Sequence, residues 1–141
     1  MSDIDNDNLT DLPEGWVLLN LKDIVYYQEG PGIRKTEYRD KGIPFLNIRV
    51  FNNEKVNKDR CNYLDEGYVS TKYRHFLLNE GDIICSSSGT LCKTAIINKY
   101  DLPLMLNTSV IRFRSKNELL LQEFLHKYLK SIIFYNQAAA A

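Results

Sequence analysis

The sequence has little of what disulfide, metal or acid–base chemistry needs. Its 141 residues include three cysteines, Cys61, Cys85 and Cys92, with no CxxC pair. That spacing favours neither a disulfide framework nor a structural zinc site, and it points to a reducing cytoplasm. Only two histidines occur, His75 and His126, and neither stands near a Ser or Cys in a recognisable triad arrangement. The longest apolar stretches are a handful of residues, far short of the ~20 that cross a bilayer. The chain does not open with a basic start and an apolar core, so no signal peptide is read there. There is no net charge either. A stand-alone nucleic-acid binder usually shows a basic excess, because phosphate neutralisation supplies much of its affinity.

What is present fits one folded domain. Hydrophobic residues make up 44% and charged residues 26%, enough apolar material for a single core. The charge is unevenly spread. Residues 1–33 sum to −6, with one Lys against seven acids, and residues 34–60 sum to +4. The remainder is nearly balanced, at −1 over 61–93 and +3 over 94–141. The expected organisation is a disordered acidic terminus at 1–11, a domain core at 12–116 and an amphipathic helix at 117–141.

Punctuation along the chain sets the expected elements. Leu12-Pro13-Glu14-Gly15-Trp16 reads as a turn. Asn20 then caps a short helix from Leu21 to Tyr27, and Gly30-Pro31-Gly32 opens a mobile basic loop running to Lys41. Ile43 to Phe51 reads as a strand with Pro44 at its start, and Asn52-Asn53 as a turn. Asn62 to Leu64 is a short strand, and Asp65 caps about two helical turns reaching Lys72. Asn79 to Asp82 is a tight turn. Strands follow at Ile83–Cys85, Thr94–Ile97 and Leu106–Arg114. On the last of these Val110, Arg112 and Arg114 share one face, opposite Ile111 and Phe113. Leu121, Phe124, Leu125, Tyr128, Leu129 and Ile132 recur at helical spacing. Asn117 is the expected cap, and Gln122, Glu123, Lys127 and Lys130 are expected on the polar side. The helical pattern continues to the last residue. It reads as a truncated chain or as a helix that finishes against another protein.

Ser86 to Thr94 invites comparison with a phosphate-binding loop. Aligning Lys93-Thr94 with the end of that motif puts Ser87 and Cys92 where its two glycines belong, so the match fails at the residues that carry the mechanism. A hydroxyl-rich loop ending in Lys93 remains, able to hydrogen-bond phosphates or base edges. Arg34 to Lys41 and Ser70 to His75 mix long cations with Thr and Tyr. These types grip phosphate, and Arg reads guanine with two donors.

The order of the motifs resembles the specificity subunits of type I restriction–modification systems. Leu12 to Trp16 followed by Leu21-Lys22-Asp23-Ile24 resembles the opening of that family, and Gly42-Ile43-Pro44-Phe45-Leu46 resembles one of its strands. Gly81 to Thr90 resembles its GDI…SGT block, and Leu106-Asn107 sits where the family has an Asn before a strand. The chain departs from the family at Cys92, which replaces a glycine, and at Lys22, where Gly is frequent. It also resembles one recognition domain of a much longer subunit, either a half-subunit or a fragment.

The resemblance implies an α/β (α+β) fold on a twisted, mixed β-sheet, with a long C-terminal helix that starts the family's spacer. It implies a non-catalytic domain that reads one half of a split target in double-stranded DNA. Methyl transfer with S-adenosylmethionine would belong to modification subunits, and cleavage driven by ATP with Mg²⁺ to a restriction subunit. A second recognition domain or half-subunit would complete the target. The candidate DNA contacts are Arg34, Lys35, Arg39, Lys41, Lys72, Tyr73 and Arg74, with Ser87, Ser88, Thr90 and Lys93 from the hydroxyl-rich loop. Ile133, Phe134 and Tyr135 are the candidate partner contacts, because the apolar run from Ile132 exceeds what one packing face hides. Two other readings stay open. One is a small nuclease or transferase using Asp82, although no spacing places a second carboxylate beside it. The other is a protein-interaction domain that uses the terminal helix.

Overall fold

The computed structural model describes residues 11–49, 51–52, 54–87 and 93–140. The expected disorder at 1–11 therefore falls, but for Asp11, outside the described residues, as do Ser88, Thr90 and Cys92.

Among the described residues the first element is helix α1 (Leu21–Ile24), which passes directly into strand β1 (Val25–Glu29). The helix expected to reach Tyr27 stops after one turn. The β-branched and aromatic residues Val25, Tyr26 and Tyr27 instead pair antiparallel with Ser115, Arg114 and Phe113 of β8 (Val110–Ser115). The central sheet runs in the order β1, β8, β6 (Ile83–Ser86), β7 (Thr94–Ile96). Smaller antiparallel pairs join β2 (Ile43–Phe45) to β5 (Asn62–Leu64) and β3 (Phe51–Asn52) to β4 (Lys55–Val56). The class is α+β, as expected. The ladders themselves are antiparallel, and the parallel pairing among the described residues is an isolated bridge between Phe45 and Met105.

Strand β6 is buried along its whole length, because the sheet is covered on both faces. Ile84 joins Leu46, Ala95, Leu104, Leu106 and Val110 on one side. Ile83 and Cys85 join Val25, Phe113, Leu125 and Leu129 on the other. A third cluster, Phe45, Leu64, Val69, Tyr73 and Met105, lies under the β2–β5 pair. Gly42 shows why the motif before β2 begins with glycine. Its φ is +133°, and a Cβ there would run into the carbonyl of Leu64 across the ladder.

Asp65 caps α2 (Glu66–Tyr68) by accepting from the Tyr68 amide at 3.0 Å. The chain then winds on through Val69–Tyr73 and a 3₁₀ turn over Arg74–Phe76. The C-terminal helix divides in two, α3 (Gln122–Leu129) and α4 (Ile132–Ala140). Ser131 causes the break. Its hydroxyl donates to the Tyr128 carbonyl at 2.6 Å and accepts from the Phe134 amide at 3.2 Å, so it ends one helix and caps the next. The start also moves. Asn117 accepts from Leu119 in a local turn rather than capping a helix. Gln122, expected on the polar side, faces inward, donating to Gly81 and Phe113 carbonyls and accepting from the Ser115 amide.

Of the expected apolar stripe, Leu125 and Leu129 are buried, while Leu121, Phe124 and Ile132 stay exposed. Phe124 meets Trp16 edge-on, with ring centroids 6.0 Å apart. Phe134 packs against this domain's own core, edge-on to Phe113 at 6.4 Å, so of the three expected partner contacts Ile133 and Tyr135 stay exposed. Among the described residues no helix is long and apolar enough to cross a membrane.

Candidate nucleic-acid interface

The two basic segments of the sequence meet at one carboxylate. Residues Lys35–Glu37 form a 3₁₀ turn, so the segment expected to be a mobile loop has a defined shape. The turn brings Glu37 back onto the chain before it, where its Oε2 accepts from the Arg34 amide at 2.6 Å. Its Oε1 accepts from the hydroxyls of Tyr68 at 2.6 Å and Tyr73 at 2.9 Å. Lys72 stands 3.8 Å from the same oxygen and donates to the Tyr68 hydroxyl at 2.9 Å. Its ammonium lies 5.3 and 5.1 Å from the centroids of the Tyr68 and Tyr73 rings.

The electrostatics follow from these contacts. The Tyr68 hydroxyl, with the Arg34 amide, Tyr73 and Lys72, lowers the Glu37 pKa to about 2. The Tyr68 and Tyr73 hydroxyls raise that of Lys72. Burial, then the hydrogen bond to Glu37, raises that of Tyr73. Glu37 was not singled out in the sequence: it is one of two acids in the run 34–41, and the tyrosines it accepts from lie 31 and 36 positions away.

This geometry sorts the expected contacts. Arg34, Lys35, Arg39, Lys41, Lys72 and Arg74 are all exposed. Tyr73 does not belong among them. It is 6% exposed, sits in a core cluster and directs its hydroxyl at Glu37, so its role is structural. The Arg39 guanidinium donates to the carbonyls of Thr36 and Tyr38 and so stiffens its own loop. In the hydroxyl-rich loop, Ser87 is exposed and its amide donates to Ser109. The Lys93 ammonium, expected to reach outward, donates to the Ile48 carbonyl at 3.3 Å.

A second group joins Arg74, already a candidate contact, to residues not singled out as contacts in the sequence. Arg74, His75, Asn79, Arg114, Ser115 and Lys116 line an open depression of about 530 Å³, with Tyr26, Leu77 and Arg112 completing its wall. Arg112 and Arg114 face the same way because they are two residues apart on β8. Asp82, the acid of the nuclease reading, is buried against both of them. Among the described residues no three His, Cys, Asp or Glu side chains are placed to share a metal ion. His126 is held by Thr94 at 3.1 Å, and burial lowers its pKa. Cys61 and Cys85 are buried, and burial pushes the Cys61 thiol up to about 11.

Fold and site together define an α+β domain that presents exposed arginines and lysines, with Glu37 and Asp82 engaged internally. The chain belongs to the type I restriction modification DNA specificity domain family, whose model matches residues 13–139. It is 30% identical over 128 residues to the type I restriction enzyme MjaVIII specificity subunit of Methanocaldococcus jannaschii, covering 88% of this chain and 30% of that protein. It is 26% identical over 140 residues to the EcoAI specificity subunit of Escherichia coli, covering 94% of this chain and 23% of that protein. The chain thus spans less than a third of the length of these relatives. The crystal structure of the HsdS subunit from Thermoanaerobacter tengcongensis shares the fold. It aligns with a TM-score of 0.69 at 18% identity, over 91% of this chain and 30% of that one.

Proposed function

We propose that the domain reads one half of a bipartite target in double-stranded DNA and performs no chemistry itself. The observation that carries this reading is the junction at Glu37. It fixes the segment 34–41 against the turn 68–74, so cations from two stretches of sequence form one surface. Arginine and lysine on such a surface neutralise phosphates and offer donors to base edges. The small overall charge suits a module that shares its DNA with other subunits. Those subunits would be modification subunits that bind S-adenosylmethionine and a restriction subunit that uses ATP and Mg²⁺. A second recognition domain or half-subunit would read the other half of the target. All of this would take place in the prokaryotic cytoplasm, with no membrane involved.

The test is duplex binding as a function of salt for the chain and for a triple Arg34→Ala, Lys35→Ala, Arg39→Ala variant. Each lost phosphate contact lowers the log–log salt slope by about one. If the triple variant kept wild-type affinity for a verified target duplex at low salt, these residues would not form the interface. Metal- and S-adenosylmethionine-dependent turnover of a plasmid by the pure chain would overturn the non-catalytic reading.

A further inference from the structure

The depression beside β8 shares only Arg74 with the junction at Glu37, and its construction is different. Asp82 is 1% exposed. Its Oδ2 accepts from Nη1 of Arg112 at 3.1 Å. Its Oδ1 accepts from Nε of Arg114 at 2.8 Å and lies 2.6 Å from Nη2 of that residue. One buried acid therefore holds two cations, and the group keeps an uncompensated positive charge. Arg112 is turned inward, with a side chain 4% exposed that also donates to the Leu77 and His75 carbonyls and to Gln28. Arg114 is 43% exposed and lines the depression. Asp82 takes the Nε and Nη2 edge of its guanidinium, where Nη2 is buried, so the donors left for a ligand are those of Nη1. Arg74 and Lys116 add two exposed cations to the same wall, and Asn79 and Ser115 add polar groups.

We propose that this depression seats a phosphodiester of a nucleic-acid strand, with the Nη1 donors of Arg114 gripping it and Arg74 and Lys116 as flanking charges. The proposal rests on the DNA reading above and adds a place and a residue to it. Its physical basis is preorganisation. A solvated lysine must be ordered when it meets a phosphate, and that entropy opposes binding. A guanidinium already fixed by a buried carboxylate has less freedom left to lose, and it stays charged at every accessible pH. Asp82 thereby becomes a positioning residue for recognition as well as a buried counter-ion.

Two arms of one experiment test the site and the DNA reading separately. In the first, arginine Nε–H resonances are followed by ¹⁵N NMR while inorganic phosphate is added, with Arg114→Lys and Arg74→Lys variants giving the assignments. Arg114 and Arg74 should shift at lower phosphate than Arg34, Arg39, Arg49 and Arg60, and a target duplex should then displace the phosphate from them. Equal shifts at every exposed arginine, or phosphate that the duplex does not displace, would overturn the proposal. In the second arm, Arg114→Gln should weaken binding of target and non-target duplexes alike and lower the salt slope by about one, whereas Arg114→Lys, which keeps the charge without the anchored guanidinium, should keep the slope and still lose affinity. Should Arg114→Gln fail to fold, Arg74→Gln reads the same depression. Duplex binding with unchanged slopes in these variants would remove the site and leave the DNA reading standing. Localised phosphate shifts with no duplex bound by the wild-type chain would leave an anion site and remove the DNA reading.

Discussion

Asp82 and Glu37 are built alike and placed differently. Each carboxylate collects several donors from distant stretches of chain. Asp82 is buried behind the central sheet and takes two guanidiniums and the Asn79 amide. Glu37 lies near the surface, with a side chain 16% exposed, and takes two tyrosine hydroxyls and the Arg34 amide, with Lys72 close by. Burial decides what each contributes. In a low-dielectric setting a charge left without its partner is costly, whereas near water the solvent replaces much of what is lost. Asp82 should therefore govern whether the domain folds, and Glu37 should govern only where its basic loop sits.

The largest expected effect tests the first half of that comparison. Asp82→Ala strands Arg112, whose side chain is almost wholly enclosed. Loss of one partner of a buried ion pair costs about 3–5 kcal/mol, a large part of the stability of a domain this size. Urea denaturation should show that loss, or a chain that fails to fold. A loss below about 1 kcal/mol would mean that water reaches Arg112 and that the two carboxylates are equivalent.

The C-terminal helices extend the contrast between inside and outside. Leu125 and Leu129 of α3 are buried in the sheet's own core, and their replacement by Ala should cost about 2–5 kcal/mol. Phe134 of α4 is partly buried on Phe113 and should cost about 1–2 kcal/mol when cut to Ala. Ile133 is 46% exposed, and Ile133→Ala should stay within about 0.5 kcal/mol. Thermal melts of the four variants rank them. Ile133 costing as much as Phe134 would show that α4 has no outward face for a partner.

Much of this division was legible in the sequence. The turn at Asn79–Asp82, the strands at 62–64 and 83–85, and the opposite faces of β8 all follow from local residue types. The misreadings share a cause, which is tertiary context overriding a local pattern. Val25 to Tyr27 continue a helical pattern but gain a strand partner in β8, 84 or more residues away in the chain. The periodicity of the last segment runs smoothly through Ser131, and only the two hydrogen bonds of that hydroxyl end α3. In the candidate site the basic runs were legible as composition. The acid that joins them was not, because Glu37 and Tyr73 are 36 positions apart. Arg114 looked like an ordinary alternating strand residue until Asp82 was seen beneath it.

A smaller effect than that at Asp82 concerns Glu37 and separates the two carboxylates by pH. Glu37→Gln keeps an acceptor for the tyrosines and loses the charge, so near neutral pH it should cost about 1 kcal/mol. The acid's pKa falls from its ordinary 4.5 to about 2 on folding. Below pH 4.5 the unfolded chain thus binds a proton that the folded chain still excludes, so folding loses stability as the pH drops. Glu37's contribution is full above about pH 4.5, declines through the window between 4.5 and 2, and is gone once both states are protonated. The melting temperatures of the wild-type and Glu37→Gln chains should accordingly converge as pH is lowered through that window. Tyr68→Phe removes the leading cause of the shift, so its decline should start in the same place but be smaller and end at higher pH than that of the wild type. A wild-type to Glu37→Gln difference that stays constant from pH 6 to pH 2 would show that the carboxylate is not held as an anion by its tyrosines. The loop 34–41 would then owe its position to the backbone turn alone.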